Sequence, residues 1–237
     1  MIARIRALAA ADAAAFYAAP SSYLLLALFL LATGYGFLSS PSTMLETSLR
    51  GVFVWIAFIL MFLCPALAAR MVTREIEDGP IELTLTAPIS DGEFILAKFF
   101  AGAAVLALFI AASLVFVLIL LGFGDPELGP LASGYLGVIT LSLVFLAVSL
   151  TGAAAASNQA LGFLLGVLLC VSIWVAGHGF AEIRWLPDQL QTALSLPRQF
   201  DMFTRGLLDS RAVVLPLTLA ALMLFAASLI IELRRRN

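Results

Sequence analysis

Few residues of this chain are of a type that could do acid–base or nucleophilic chemistry. The sole histidine, His178, lies between two glycines near the end of an apolar stretch, where a histidine is more often an interfacial side chain than a proton relay. An intramembrane serine protease would need a serine and a histidine brought together. Ser172 precedes His178 by six residues, so the two would face different sides of one helix. We therefore predict no catalytic residue in this chain.

The residues that could bind phosphate, metal or protons are equally sparse. Lys98 is the only lysine and it follows Ala97, so the chain lacks the Gly-Lys-Ser/Thr sequence of a phosphate-binding loop and is predicted not to hydrolyse ATP by itself. Cys64 and Cys170 have no second cysteine or histidine at metal-ligand spacing, which predicts no metal site. No acid or base falls in the middle of a predicted span, whereas ion-coupled carriers usually place one there.

The composition is that of an integral membrane protein. Of the 237 residues, 62% are hydrophobic and 12% are charged, and the mean hydropathy is +1.08. A soluble domain carries about 25% charged residues. The formal net charge of −2 gives no electrostatic footprint for nucleic acid. A chain this apolar could not cover itself with polar surface in water, so we expect the lipid bilayer to surround it.

Runs without Asp, Glu, Lys or Arg mark the membrane-crossing helices, because each such residue costs about 2.5–3.5 kcal/mol at the centre of a span. These runs occupy residues 13–45, 51–69, 99–124, 128–181 and 212–231. A span needs about 20 apolar residues, so the run over 128–181 is long enough for two, with Ser157-Asn158-Gln159 as the turn between them. We predict one all-α transmembrane domain over residues 1–237, with six helices at 22–40, 51–69, 94–122, 132–155, 160–180 and 212–232.

The basic residues predict the orientation, since cytoplasmic loops are enriched in Lys and Arg. With the N-terminus inside, eight basic residues fall on the cytoplasmic side and five on the outer side, four of the five within 182–211. The first apolar stretch starts too far after Arg4 and Arg6 to be a secretory signal peptide, and we expect it to be retained. Both termini are therefore predicted in the cytoplasm.

The leader, residues 1–20, is rich in alanine and carries few charges. It is expected either to lie as a helix along the cytoplasmic interface, with Phe16 and Tyr17 at headgroup depth, or to be a solvated extension. At the other side of the membrane, the outer segment 182–211 has leucines at four-residue spacing. After Pro197 it has an apolar stripe that is predicted to lie on one helical face and consists of Phe200, Phe203, Leu207 and Leu208. This pattern predicts amphipathic helices that act either as a gate or partner surface, or as a lid over the bundle.

The cytoplasmic segment 70–93 contains clear signals for where helices begin and end. Gly79 ends one helical turn and Pro80 suits the first position of another. Ser90 and Glu93 have the spacing of a capping box for the third span. Lys98, one turn further on, is expected to extend its stem toward the membrane surface. A short helix with exposed acids could bind a cytoplasmic partner. On spacing alone, a simple connecting loop is an equally good interpretation of this segment.

Small residues within the spans suggest close contacts between helices, and hydroxyl residues there suggest the lining of a substrate path. Gly162 and Gly166 have the spacing of a dimerising helix face, a weak signal because such pairs are common in membrane helices. Scattered hydroxyl side chains are expected in an otherwise apolar lining, and these are Thr33, Ser113, Thr140, Ser142 and Ser149. Such a lining would suit a lipid, a peptide or a polymer as well as a small solute.

The order and identity of several motifs resemble those of a known family. The most specific block starts at Arg74-Glu75, ends at Ile95 and Lys98, and contains Glu77, Gly79, Ile81-Glu82-Leu83, and Leu85 through Ser90. Matching residues elsewhere are Phe16-Tyr17, Pro20, Tyr23, Gly34-Tyr35, Phe200, Phe203, Arg205-Gly206, Asp209 and Arg211. The chain resembles permease subunits of type-2 ABC transporters, the exporter group, and especially their gliding-motility and copper-enzyme-maturation branch. It departs from them at 10–15, where Asp12 is the only charge.

This resemblance implies a partnership in the bacterial cytoplasmic (inner) membrane. The chain would pair with a second permease copy or a sibling permease, and with a cytoplasmic ABC ATPase dimer that binds the ATP and Mg²⁺. The helix over 74–90 would be the coupling element, through Arg74, Glu75, Glu77, Gly79, Ile81, Glu82, Leu83, Leu85 and Pro88. The outer gate would include Phe200, Phe203, Arg205 and Asp209.

Three functions are compatible with these observations. The leading one is a permease that moves a substrate with energy from a separate ATPase, and export is the expected direction. The second is a membrane anchor that transmits mechanical force from an ATPase to an envelope machine without transport. The third, an ATPase-independent channel, predicts that no nucleotide-binding partner exists.

Overall fold

The structure is a computed structural model that describes residues 2–40, 48–73, 90–124, 126–181, 191 and 195–236. Within these ranges the chain forms helices and no strand. The α-helices of the described ranges are α1 (Ile2–Ala18), α2 (Pro20–Ser39), α3 (Arg50–Ala68), α4 (Asp91–Phe123), α5 (Leu128–Ala155), α6 (Gln159–Ala181), α7 (Leu196–Thr204) and α8 (Ser210–Arg236). A π-helical turn, Ala69–Thr73, continues α3.

Six of these helices, α2 to α6 and α8, are long and apolar enough to cross a membrane. The prediction of an all-α membrane bundle with six crossing helices is confirmed in the part of the chain that the structure describes. The longest is α4, whose 33 residues extend about 50 Å at 1.5 Å per residue. Because the hydrocarbon core is about 30 Å thick, α4 must project beyond it.

Polar contacts define the two ends of the bundle. At the terminal end, near both chain termini, Arg70 bonds to Ser21 and Ser22 at 3.1 and 3.3 Å. There Arg234 also donates to the carbonyl of Ala155 at 2.7 Å. At the distal end, Ser133 Oγ donates to the carbonyl of Phe203 at 2.7 Å. The helices therefore alternate in direction between these two ends.

The fifth helix in the chain is the centre of the bundle. In the most apolar stretch of α5, 78% of the residues are buried, against 22% in α6 and in α8. Val144, Phe145 and Leu146 are fully buried, and α5 packs against α3, α6 and α8. The outer helices present apolar side chains such as Leu31 and Phe225 outward, as expected where lipid tails replace water.

Gly162 and Gly166 do not form a dimerising face, and that interpretation was wrong. A Cβ on Gly166 would lie 2.8 Å from the side chain of Pro65 on α3, and one on Gly162 would clash with the Thr73 hydroxyl. The two glycines thus let α6 approach the end of α3 within one subunit. The spacing correctly predicts a close helix contact, but the contact is internal.

The hydroxyl residues expected to line a path are instead buried inside the subunit. All five have exposed fractions of 5% or less. Four of them bond to a carbonyl in the preceding turn of their own helix, and these are Ser113, Thr140, Ser142 and Ser149. Such a bond satisfies a hydroxyl inside a membrane helix, so the outward faces of the bundle are left to apolar side chains.

Candidate functional site

The nine predicted coupling residues, from Arg74 to Pro88, lie outside the described residues. The structure does describe the two helix ends to which residues 74–89 are joined. The first is the π-helical turn that ends at Thr73, and the second is Ser90 with the start of α4. These two ends form a frame, and the way in which each is fixed determines where a movement of the segment would be passed on.

The π-helical turn is fixed against α5 and α6. Thr73 is completely buried, and its hydroxyl donates to the carbonyl of Ala153 at 3.2 Å. One turn earlier, the guanidinium of Arg70 lies 5.0 Å from the centre of the Phe16 ring and bonds to the serines that begin α2. The residues that lead into the segment therefore contact α1, α2, α5 and α6.

The start of α4 carries the predicted capping box. The backbone N–H of Glu93 donates to Ser90 Oγ at 3.2 Å, and the backbone N–H of Ser90 donates to a Glu93 carboxylate oxygen at 3.0 Å. Two N–H groups that the helix leaves unpaired are thereby satisfied. Asp91 in the same turn lies 3.6 Å from the guanidinium of Arg235, which connects the first turn of α4 to the last turn of α8.

Lys98 does not extend to the membrane surface, and that prediction was wrong. Its side chain is 1% exposed and its ammonium lies 2.9 Å from the carboxylate of Asp12 on α1. The ammonium also lies 5.2 Å from the centre of the Phe94 ring. Because α1 covers this face of α4, the charge is compensated inside the protein instead of by water.

The leader is a helix that packs along the first half of α4. The Tyr17 hydroxyl donates to the carbonyl of Ala104 at 3.1 Å, and the Phe16 ring packs against Phe109 with centroids 6.5 Å apart. Phe16 is 4% exposed, so its ring is buried between helices of the bundle, and its expected position at headgroup depth stays a prediction. Both ends of the frame thus contact α1, one through Arg70 and the other through Lys98.

At the distal end, α7 covers the bundle with a buried face. Ser195 caps the helix by accepting from the N–H of Arg198 at 3.3 Å, and Pro197 occupies its first turn. Phe200 and Phe203 are 5% and 2% exposed, as predicted. The other half of the predicted stripe was wrong, because the helix ends at Thr204 and Leu207 and Leu208 after it are exposed. A Cβ on Gly137 of α5 would lie 2.7 Å from the side chain of Phe203, so only a glycine permits this approach.

The exposed face of α7 carries an ion-pair network. The carboxylate of Asp201 lies 2.7 Å from Arg50 of α3 and 2.7 Å from Arg205. Burial would raise the pKa of Asp201, but the hydrogen bonds and charges of the two arginines outweigh it and hold the pKa below its usual range. This network joins α7 to the start of α3.

Comparison with known families decides what kind of protein this is. A sequence model described as ABC-2 family transporter protein matches residues 10–187, three quarters of the chain. The chain is a member of the ABC-2 transporter family. It is a multi-pass membrane permease of an ABC transporter. A comparison with curated proteins found no match.

Membership confirms the resemblance to type-2 ABC permeases. The narrower assignment to the gliding-motility and copper-enzyme-maturation branch stays a prediction. The match includes the whole of 70–93 but ends at residue 187, before α7. The family implies association with an ABC ATPase and often dimerisation.

The structure of the permease separates the four predicted gate residues. Phe200 and Phe203 lie together on the buried face of α7, whereas Arg205 is exposed and paired with Asp201. Asp209 lies apart, where its carboxylate accepts from the N–H of Arg211 at 2.9 Å in the first turn of α8. Their shared role as a gate stays a prediction.

Sequence reasoning missed several residues that position these elements. Asp12 and Arg235 were counted only as charges, and each proves to pair with a residue of α4. Gly137 and Ser133 fix α7 on α5, but nothing in a single sequence indicates which helix they face. The exact i, i+4 spacing of Asp201 and Arg205 was the one signal that could have predicted part of the distal network.

Proposed function

We propose that this permease moves its substrate outward across a bacterial cytoplasmic membrane, with energy from ATP hydrolysed by a separate cytoplasmic ATPase dimer. In this proposal, residues 74–90 bind the ATPase, both termini lie in the cytoplasm, and a second copy or a sibling permease completes the transporter. The observation that supports it most is the frame, because both ends of the segment are fixed to helices that cross the membrane.

A displacement of the segment would be passed on along two routes. One runs through Thr73 and Arg70 to α5 and α2. The other runs through the first turns of α4, where Asp91 contacts α8 and Lys98 contacts α1. Because packed helices move as rigid units, a push at the segment would shift several helices together.

The orientation is supported by the charge of the terminal end. Within the described residues this end carries Arg70, Lys98, Arg234 and Arg235, in addition to the arginines of α1. Cytoplasmic ends of membrane helices are enriched in such residues. The described part of the distal end carries fewer basic residues, and these are Arg50, Arg198, Arg205 and Arg211.

The proposal is tested by charge reversal at Glu75 and Glu77 combined. Hydrogen bonds to charged groups contribute about 1.5–3 kcal/mol each, so we expect ATPase binding to weaken by about tenfold or more. Substrate flux into reconstituted vesicles should fall with it, while membrane insertion is unchanged. Glu127→Lys is the matched control, because Glu127 is an exposed acid in the distal loop.

The possible outcomes separate the proposal from its alternatives. Co-purification from native membranes, followed by mass spectrometry, identifies any ATP-binding subunit and any sibling permease. An ATPase that binds and hydrolyses ATP without substrate flux would indicate the mechanical anchor. Unchanged binding and flux in the double variant would contradict the coupling role of 74–90.

A further inference from the structure

A groove lies between α1 and α4 at the terminal end. Its volume is about 510 Å³, and it is lined by Ile5, Arg6, Ala9, Ala10, Ala13, Phe100 and Ala104. The four alanines leave space where larger side chains would fill it, and the Phe100 ring is 54% exposed at its edge. The groove has the volume of a small-molecule site, and all of its lining except Arg6 is apolar.

The charge of the groove is positive and uncompensated. Asp12 is the only acid of α1, and it is paired with the buried Lys98. Arg6 is exposed, and no described residue forms a hydrogen bond or ion pair with its guanidinium. A ligand of the groove would therefore combine a negative group beside Arg6 with an apolar body along the alanines.

The depth of the groove in the membrane follows from the length of α4. About 20 helical residues cross a hydrocarbon core of about 30 Å. We take Phe123, where α4 ends, as the distal boundary of the core. Counting back about 20 residues places the other boundary near residues 100–104, and Phe100 and Ala104 line the groove. The apolar lining therefore lies where acyl chains begin, and Arg6 lies near the headgroup phosphates.

We propose that this groove is a binding site for one anionic phospholipid. An acyl chain would lie against Phe100 and the alanines, and the headgroup phosphate would pair with Arg6. The site is independent of ATPase coupling and of the transported substrate. It would hold α1 on α4 in addition to the Lys98–Asp12 pair, because the lipid contacts both helices.

The test uses the full chain reconstituted in phosphatidylcholine vesicles with a small amount of photo-reactive phosphatidylglycerol. After illumination, mass spectrometry maps the labelled residues, and unlabelled lipids compete for the site. We expect labels on 5–13 and 100–104, and phosphatidylglycerol should compete about fivefold better than phosphatidylcholine. That ratio corresponds to about 1 kcal/mol for one arginine near an anionic headgroup.

Three variants make the result decisive. Arg6→Gln should abolish the fivefold preference, Arg6→Lys should retain it, and Ala10→Leu should reduce labelling by filling the groove. Arg211→Gln is the matched control, because Arg211 is an exposed arginine at the distal end. A preference that survives Arg6→Gln would overturn the proposal. So would labelling spread evenly over the outward faces of α6 and α8, since that would indicate bulk lipid contact only.

Discussion

The buried pair of Lys98 and Asp12 allows a quantitative test of how α1 is held on α4. Lys98 is 1% exposed and Asp12 is 18% exposed, with 2.9 Å between ammonium and carboxylate. Removing one partner of a buried pair costs about 3–5 kcal/mol, because the attraction between the two charges is lost while the other charge stays buried. Since Asp12 retains some contact with solvent, we expect Asp12→Asn to lower the free energy of unfolding by about 3 kcal/mol.

The double variant is expected to behave differently from the sum of the single ones. Lys98→Met leaves a carboxylate that is partly solvated, so its cost should be lower, about 1–3 kcal/mol. With both charges removed, no buried ion remains, and a neutral replacement of a buried pair is often close to neutral. We therefore expect Asp12→Asn with Lys98→Met to cost less than Asp12→Asn alone.

The assay is unfolding of the purified permease in mixed micelles, followed by circular dichroism as the denaturing detergent is increased. The coupling free energy is obtained from the wild type, the two single variants and the double variant. Additivity within about 0.5 kcal/mol is typical of residues that do not interact. Such additivity here would refute the reasoning that the ion pair fixes α1 on α4.

Two further predictions concern the distal end. Gly137→Ala should destabilise the docking of α7 by about 1–3 kcal/mol, because the added Cβ overlaps Phe203. Thermal unfolding measures this loss of stability. Gly129→Ala is the control, since nothing lies within 4 Å of the Cβ that it adds. Asp201, whose pKa is lowered in the folded protein, should stabilise α7 at pH values above about 4 and lose this effect as the pH falls through its folded-state pKa. Proteolysis of α7 between pH 5 and 2 should show this loss, at most about 1 kcal/mol for an exposed network, and Asp201→Asn should abolish it.

Local features of the chain could be predicted from sequence because their causes are local. The lengths of the charge-free runs determine the six spans, and the turn between α5 and α6 falls at Ser157-Asn158 as expected. The capping box follows from two residues three positions apart. The first half of the apolar stripe, Phe200 and Phe203, correctly predicts the buried face of α7, but the sequence did not indicate that the helix ends at Thr204 before Leu207 and Leu208.

The partners of these features could not be predicted, because they depend on which helices meet. Lys98 had the spacing of a residue near a helix end, but its partner Asp12 lies in a different helix. Gly166 indicated a close contact without indicating that Pro65 fills it. The coupling role of Glu75 and Glu77 stays a prediction of the family resemblance.

The central position of α5 has a consequence for the order of assembly during synthesis. The helices α2, α3 and α4 precede α5 in the chain. They therefore enter the membrane before α5, against which α3 packs, has been synthesised. The face of α3 that later packs against α5 includes Phe53, which contacts Tyr135 and Gly134 of α5. Lipid tails can cover such an apolar side chain without an energetic penalty. Insertion can therefore proceed one helix at a time, and a chain that stops before α5 should remain inserted while α3 lacks its main partner helix.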